Sequence, residues 1–386
     1  MSIEPVDTCR REQVVAPADI RVWDRGVRSF HWLLVGSVAG ALATGFLDEK
    51  WLLDAHVIFG TVIAVLIVLR LVWGFTGTTY ARFSSFVCRP STVLAHARDL
   101  ACRRAEHHVG HNPLGAMMIL GLLAGLVALV VTGIFVLGGV VKEGPLAAFT
   151  TFAQGRSAKE AHEALAFGLL GLVALHVTGI VVESLRSREN LVRAMLTGAK
   201  RDRPEAIAVQ AVAARPMLAA GVAALVLIPA ASGIGFLSQR PALGVPVAPL
   251  DAAYIRECKA CHAVHHPSLA STATWTGIMG NLGDHFGDNA SLDPGVTASL
   301  VDYLTTNSAE HWDTKAANRL RKASAAEPLR ITATDGWKRI HRDIPGEVFK
   351  RKAVGGKLNC ANCHTDAETG LFAPRAIHVP KEKTTP

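Results

Sequence analysis

Two short motifs near the end of the chain have residue types and spacing suited to redox chemistry. Both read CxxCH, and they consist of Cys258, Cys261 and His262, and of Cys360, Cys363 and His364. In this spacing the two thiols form thioethers to the vinyl groups of a haem, and the adjacent imidazole ligates the iron. A CxxC zinc site or a thiol redox pair is the alternative, but neither needs the histidine that follows in both copies.

Each iron bound in this way needs a sixth ligand. The residues after 251 offer His265, His266, His285, His311, His341, His378 and Met279. The first two follow His262 so soon that reaching the opposite haem face would need a tight reversal, so we predict His285 for the first haem. We predict His341 for the second, since it precedes Cys360 by enough chain to wrap round. Met279 is the rival ligand, and its thioether would raise the potential.

Four further histidines fall in or beside long apolar stretches, where ionisable residues are costly and usually functional: His31, His56, His162 and His176. The last two are 14 residues apart, a rise of about 21 Å and a rotation roughly 40° short of four turns, so they share a helix face. When the four histidines are matched by their depth in the bilayer, His56 pairs with His162 and His31 pairs with His176. This predicts two bis-histidine b-type haems, with an exchange of partners through helix tilt as the alternative.

Other polar residues are candidates for supporting roles. Arg70 follows His56 by 14 residues and so faces the same interior, where its guanidinium can pair with a haem propionate. Snorkelling to the headgroups is the alternative. A loop cluster of histidines would line a quinone or proton site or be simply solvated: His107, His108 and His111. The remaining cysteines are predicted to be free thiols: Cys9, Cys88 and Cys102.

The composition indicates that a membrane positions these groups. The chain has 386 residues, 50% hydrophobic and only 19% charged, with a mean hydropathy of +0.28, which is too apolar for an ordinary soluble protein. Five apolar stretches approach the ~20 residues that cross a bilayer: 30–47, 51–72, 114–137, 162–182 and 217–237. Polar residues precede the first stretch and no small-residue cleavage site follows it closely, so we expect it to remain as an anchor.

The basic residues predict the orientation. The N-terminal segment and the loops on its side of the membrane carry 17 Lys and Arg, and the two short loops on the other side carry 4. The positive-inside rule therefore predicts a multi-pass protein of the bacterial inner membrane, with a cytoplasmic N-terminus and a periplasmic C-terminal region. The net charge of +8 is explained by these loops, and we expect no nucleic-acid partner.

The predicted architecture is an all-α membrane protein with four parts. We expect a cytoplasmic tail over 1–20, a four-helix di-haem b transmembrane bundle over 21–203, and a linker with a fifth transmembrane helix over 204–240. Residues 241–386 should form a small, mostly helical dihaem cytochrome c domain in the periplasm. The linker prolines are Pro246 and Pro249.

Residues 21–203 resemble the bacterial cytochrome b561 family, the type that includes nickel-iron hydrogenase cytochrome b subunits. The matching stretches are 28–32 (RSFHW), His56 with 70–74 (RLVWG), 110–115 (GHNPLG), His162 with Glu163, His176, 188–192 (RENLV) and 197–201 (TGAKR). The resemblance implies a di-haem b bundle that exchanges electrons with quinone, with the four histidines as haem ligands.

Residues 251–380 resemble the bacterial dihaem cytochrome c family. The resemblance lies in both CxxCH motifs and in Trp275, 285–287 (HFG), Trp337, His341 and 377–380 (IHVP). It supports His285 and His341 as distal ligands.

Together these features predict electron transfer between the quinone pool and a periplasmic partner such as a soluble cytochrome. Electrons from quinol would pass through two b haems, then the first c haem and then the second. One alternative is a superoxide-to-quinone oxidoreductase, with the anion steered by Lys50, Arg156 and Lys159. The other is a cytochrome b anchor subunit of a dehydrogenase or hydrogenase complex.

Overall fold

The structure is a computed structural model that describes residues 19–47, 50–102, 104, 109–201, 212–245 and 250–381. The predictions for the 1–20 tail apart from its last two residues, and for Cys9, His107, His108 and the linker prolines Pro246 and Pro249, lie outside the described residues.

Five helices within the described part are long and apolar enough to cross a membrane. They are α1 (Arg25–Leu47), α2 (Leu53–Thr76), α4 (Pro113–Val136), α5 (Phe152–Ser187) and α7 (Pro216–Ser238), with α3 (Pro90–Ala101) between the second and the third. The predicted, mostly helical fold with five membrane-length helices is thus confirmed.

Local sequence explains where α4 begins and ends. Pro113 occupies its first position, and the Asn112 side chain accepts a hydrogen bond from the Gly115 N–H at 2.7 Å, as expected of an N-cap. A five-residue π-helical turn, Leu137–Val141, follows α4. The chain then reverses at Lys142, whose φ of 63° is left-handed, an uncommon conformation for a residue with a side chain.

Helix α5 begins at Phe152, ten residues before the predicted apolar stretch. Residues 152–161 are mostly good helix formers, but they include Arg156, Lys159 and Glu160, so hydropathy alone does not detect them. Ion pairs one turn apart support this segment, between Arg156 and Glu160 and between Lys159 and Glu163.

The remaining elements are short. A two-stranded antiparallel sheet pairs β1 (Asp19–Arg21) with β2 (Ala199–Arg201), and α6 (Leu191–Thr197) precedes β2. The helices of the C-terminal region are α8 (Ala252–Cys258), α9 (Thr272–Gly280), α10 (Pro294–Thr306), α11 (Lys315–Leu320), α12 (Asp335–Ile340) and α13 (Gly346–Lys350). One 3-10 turn lies between each consecutive pair from α8 to α12, and three more follow α13.

The chain divides into two compact units. The first contains residues up to 36, 63–126 and 167–226, and the second contains 37–62, 127–166 and 227–386. The second unit therefore contains one end of each of the five long helices, together with the C-terminal region. Its main core packs α9 against α10 around Tyr254, Trp275 and Leu300.

Candidate haem sites

His56 and His162 face each other in the second unit. Their ring centroids are 6.1 Å apart, with the ring planes at 73°. His56 lies on α2 and His162 on α5, so the two rings come from two helices.

Two threonines fix the orientation of these rings. The Thr132 hydroxyl donates to the Ala128 carbonyl at 2.8 Å, so its oxygen is left to accept from Nδ1–H of His162 at 3.0 Å. On α1, Thr44 donates to the Gly40 carbonyl at 2.7 Å and lies 3.2 Å from Nδ1 of His56. With the proton held on Nδ1, the Nε2 lone pair of each imidazole is available to a metal.

A glycine follows each threonine and leaves room for the imidazole. A Cβ on Gly45 would lie 3.2 Å from Cε1 of His56, and one on Gly133 would lie 3.4 Å from Cε1 of His162. Sequence reasoning missed both threonines, although a signal was present: the same Thr-Gly dipeptide occurs in α1 and in α4.

His31, His176 and Arg70 belong to the first unit. His31 is near enough to His176 for the two rings to interact electrostatically, and its Nδ1 is buried without a hydrogen-bond partner among the described residues. Arg70 is 5% exposed, donates to the Ala81 carbonyl at 3.1 Å and lies 5.0 Å from the centre of the Phe83 ring. Its guanidinium therefore stays inside the protein and does not snorkel.

His111 is the described member of the loop cluster, and it is enclosed by aromatic rings. Its ring centroid lies 4.6 Å from that of Trp23 and 5.2 Å from that of Phe86. Burial, and then the charges of Lys200 and Arg70, lower the pKa of His111 to about 3. The imidazole is therefore neutral at physiological pH and can exchange hydrogen bonds or protons with a neutral polar ligand.

The first CxxCH motif lies at the end of α8. The ring centroids of His262 and His285 are 6.2 Å apart with the ring planes at 20°, and Nδ1 of His262 is 2.7 Å from the Ala263 carbonyl oxygen. A tight turn presents His285: Phe286 and Gly287 have φ of 55° and 104°, and the backbones of His285 and Asp288 pair. An open cleft of about 390 Å³ adjoins His285.

The alternatives to His285 as the sixth ligand of the first haem make contacts elsewhere. Met279 is 6% exposed and belongs to the core around Trp275. Nε2 of His265 lies 3.1 Å from the Leu358 carbonyl oxygen, and the ring of His266 packs against Trp312 at 4.5 Å.

The second motif has the same arrangement. The ring centroids of His341 and His364 are 6.3 Å apart, with the ring planes at 82°. His341 follows α12, its ring stacks on Trp337 at 4.4 Å, and its Nδ1 lies 3.0 Å from the Trp337 carbonyl oxygen. Here too Nε2 is left for a metal.

The three histidine pairs pass a test of fit for haem. If each metal–imidazole bond has a length of about 2.0 Å, two rings on opposite sides of one iron have centroids roughly 6.3 Å apart. The centroids are 6.1, 6.2 and 6.3 Å apart in the three pairs. Histidines drawn from separate helices and loops thus share the spacing that bis-histidine ligation requires.

The zinc and thiol-redox alternatives fit less well. Thiol exchange uses the thiolate, whereas burial raises the pKa of Cys258 and Cys360 to about 11. Within the described ranges, no group of three or more His, Cys, Asp or Glu could hold a metal ion. No disulfide forms among the described cysteines, which include Cys88 and Cys102.

Comparisons with known proteins agree with this geometry. Residues 22–198 match the family model of prokaryotic cytochrome b561, and residues 254–372 match that of dihaem cytochrome c. A probable Ni/Fe-hydrogenase B-type cytochrome subunit of Bradyrhizobium diazoefficiens is 26% identical over 222 residues, which cover 50% of this chain and 90% of that relative.

Solved structures match the C-terminal region. A diheme cytochrome c from Rhodobacter sphaeroides is 35% identical and covers 32% of this chain and 100% of its own, with a TM-score of 0.28. A diheme cytochrome type c from Shewanella baltica is 34% identical and covers 34% of this chain and 95% of its own, with a TM-score of 0.29.

These matches and the five membrane-length helices define a membrane electron-transfer protein with b-type and c-type haem. Residues 22–198 thus form a prokaryotic cytochrome b561 domain, and residues 254–372 form a dihaem cytochrome c domain.

Proposed function

We propose that the protein oxidises quinol at the membrane and delivers the electrons, through two b haems and two c haems, to a periplasmic acceptor protein. The observation that carries this proposal is the combination, in one chain, of histidines on membrane-length helices with two CxxCH motifs. One histidine pair on the helices and one pair at each motif have the spacing of bis-histidine ligation. Tethering donor to acceptor replaces a diffusional encounter with a high effective concentration.

We assign the ligands as follows. His56 with His162 and His31 with His176 would hold the two b haems, and His262 with His285 and His341 with His364 would hold the c haems. The thioethers would form on Cys258, Cys261, Cys360 and Cys363. When bound, the haems supply one-electron chemistry, while the protein sets their ligation and surroundings.

We also propose that quinol is oxidised near His111, on the side of the membrane that faces the cytoplasm. A quinol donates hydrogen bonds through its hydroxyl groups before it is oxidised, so the site needs a neutral acceptor. The uncharged imidazole of His111 meets this need, and Trp23 and Phe86 provide apolar surface for a ring. Arg70 would pair with a haem propionate close by.

The proposed topology and domains follow the charge distribution. The N-terminus would be cytoplasmic, and residues 21–203 would form the b-type bundle in the inner membrane. Residues 204–240 would form a linker and the fifth transmembrane helix, and residues 241–386 would lie in the periplasm. A periplasmic location suits covalent haem attachment, which takes place on that side in c-type cytochromes.

The proposal is tested by an anaerobic spectrum of the detergent-purified protein before and after addition of a quinol. We expect b-type absorption to change first and c-type absorption to follow. Reduction of the b haems with no change in the c haems would contradict the delivery step. Absence of either haem type from the purified protein would overturn the proposal entirely.

The superoxide alternative receives little support from the charges. Arg156 and Lys159 each form an ion pair with a glutamate one turn further along α5, so these side chains present little net positive charge to an anion. The anchor alternative has one supporting observation, the similarity to a probable hydrogenase cytochrome subunit of Bradyrhizobium diazoefficiens. Stable co-purification with a dehydrogenase or hydrogenase, without quinol activity of the protein alone, would favour it.

A further inference from the structure

A buried ion pair joins the C-terminal region to the loop between α4 and α5 within the second unit. Lys142 Nζ lies 2.8 Å from Oδ2 of Asp313, and the lysine side chain is 2% exposed. The ammonium also donates to the carbonyl oxygens of Thr150 at 3.2 Å and Leu243 at 3.1 Å. All three of its N–H donors are therefore used, as a buried charge requires.

The same carboxylate binds the start of a membrane helix. Oδ2 of Asp313 accepts a hydrogen bond at 2.7 Å from the backbone N–H of Phe152, the first residue of α5. A negative charge is favourable at a helix N-terminus. Because α5 carries His162, Asp313 ties the C-terminal region to the helix that supplies one imidazole of the b-type pair.

Arg375 makes a second connection, close to the other imidazole. Its Nε lies 2.6 Å from Oδ1 of Asp54, and its guanidinium also pairs with Glu143. Asp54 is in the first turn of α2, two residues before His56. Burial raises the pKa of Glu143 and the Arg375 charge opposes this shift, which indicates that the guanidinium stabilises the ionised carboxylate.

The segment around Arg375 is bonded to the second CxxCH motif. The Thr365 N–H donates to the Ala376 carbonyl at 2.9 Å, and the His378 N–H donates to the Cys363 carbonyl at 2.7 Å. The backbones of His364 and Ile377 form an isolated bridge. Short bonded steps therefore connect His56, through Asp54 and Arg375, to His364.

We infer that the C-terminal region exchanges electrons with the membrane helices through the second motif, not the first, and that Arg375 is the positioning residue of this contact. The inference rests on the proposed function and reverses the order expected from the sequence. One electron would pass from the iron held by His56 and His162 to the iron held by His341 and His364. The first iron would be oxidised from ferrous to ferric, and the second would be reduced from ferric to ferrous. No bond forms or breaks, and no proton is transferred.

The first motif then becomes the exit. Nε2 of His265, whose ring is 5.3 Å from that of His262, lies 3.1 Å from the carbonyl oxygen of Leu358, two residues before Cys360. The two motifs are thus in contact. Beyond His285, Phe286 is 57% exposed with Arg330 over its ring, which offers a partner protein an aromatic surface.

A cross-linking experiment tests the contact without any redox readout. In the full-length Arg375→Lys variant a carbodiimide should join residue 375 to residue 54 or 143 by an amide, which peptide mass spectrometry would identify. The same product should be lost in the matched control that adds Asp54→Asn and Glu143→Gln. A cross-link from residue 375 to other carboxylates only would overturn the inferred contact.

A kinetic experiment tests the order of the haems. In Cys258→Ala/Cys261→Ala, which lacks the first c haem, the remaining c haem should follow the b haems at the wild-type rate in stopped-flow spectra. In Cys360→Ala/Cys363→Ala the remaining c haem should be reduced at least tenfold more slowly. The opposite pattern would overturn the inference.

A milder pair of variants keeps the test valid if loss of a haem prevents folding. Arg375→Gln should slow reduction of the c haems several-fold with unchanged quinol reduction of the b haems and unchanged midpoint potentials, and Arg375→Lys should restore the rate. Equal rates in all three proteins would contradict a positioning role. If quinol fails to reduce the wild-type b haems, the proposed function fails, while the cross-link still decides the contact.

Discussion

Thr132 Oγ1 lies 3.0 Å from Nδ1 of His162 and donates its own proton to the Ala128 carbonyl, so the hydroxyl oxygen is the acceptor and the imidazole the donor. A hydrogen bond of this kind makes a ligating imidazole more basic and fixes its tautomer. Thr44 contacts His56 in the same way from another helix. The two threonines therefore contact both imidazoles that we propose as ligands of one b haem.

Replacement of Thr132 should change the potential of one b haem. In Thr132→Val the imidazole loses one hydrogen-bond acceptor and donates less charge to ferric iron, so we expect a rise in midpoint potential on the order of 30–60 mV, or up to tenfold in the redox equilibrium. Thr132→Ser keeps the hydroxyl and should resemble the wild type. Redox titration of b-type absorption provides the measurement, and an equal shift of both b haems would argue against the assignment.

The b-haem ligands can be counted one site at a time. His56→Ala and His31→Ala should each lower the content from two b haems to one, because each removes an axial ligand of a different haem. Both c haems should remain. The measurement is the ratio of b to c haem after extraction of the non-covalent haem, and loss of both b haems in a well-folded single variant would contradict two separate sites.

The distal ligands of the c haems are tested by spin state. His285→Ala and His341→Ala should each convert one c haem from a low-spin six-coordinate to a high-spin form, as seen by absorption and electron paramagnetic resonance. His311→Ala and Met279→Leu are matched controls that should leave both haems low-spin. A high-spin haem in the methionine variant would instead favour the thioether as ligand.

The ion pair of Lys142 and Asp313 should contribute to stability. Asp313→Asn leaves a buried ammonium without its counter-ion, which costs about 3–5 kcal/mol for fully buried pairs; since the Asp313 side chain is 27% exposed, we expect roughly 2–3 kcal/mol. Denaturant unfolding of the detergent-solubilised protein checks this. The double variant with Lys142→Met should be less destabilised than the sum of the single variants, and simple additivity would show that the pair is not coupled.

His111 should make the protein sensitive to acid. Its pKa is about 3 when folded and near 6.5 when unfolded, so its stabilising contribution is complete above pH 6.5 and is lost as the pH falls from 6.5 towards 3, by about 1.4 kcal/mol per pH unit. The variant His111→Gln lacks this titration. Thermal unfolding at pH 7 and pH 5 should show a smaller loss for the variant, and equal losses would exclude His111 as the cause.

The sequence by itself determined the chemistry and the membrane architecture. CxxCH is a local covalent requirement, readable without a fold, and apolar runs of membrane length are set by the thickness of the bilayer. Depth within the apolar stretches predicted the pairing of His56 with His162, and helix periodicity predicted that His162 and His176 share a face, because they are 14 residues apart on one helix. The start of α5 was missed, since its polar first turns have no hydropathy signal.

Only the tertiary structure decided which groups meet across the chain. Asp313 reaches Lys142 over 171 positions, and Arg375 reaches Glu143 over 232. No local pattern encodes such contacts, because they depend on how the C-terminal region packs against the helix ends. Chain order suggested that electrons reach the first c haem before the second; the contacts of Arg375 favour the reverse, since proximity in space, not position in the sequence, governs where an electron can pass.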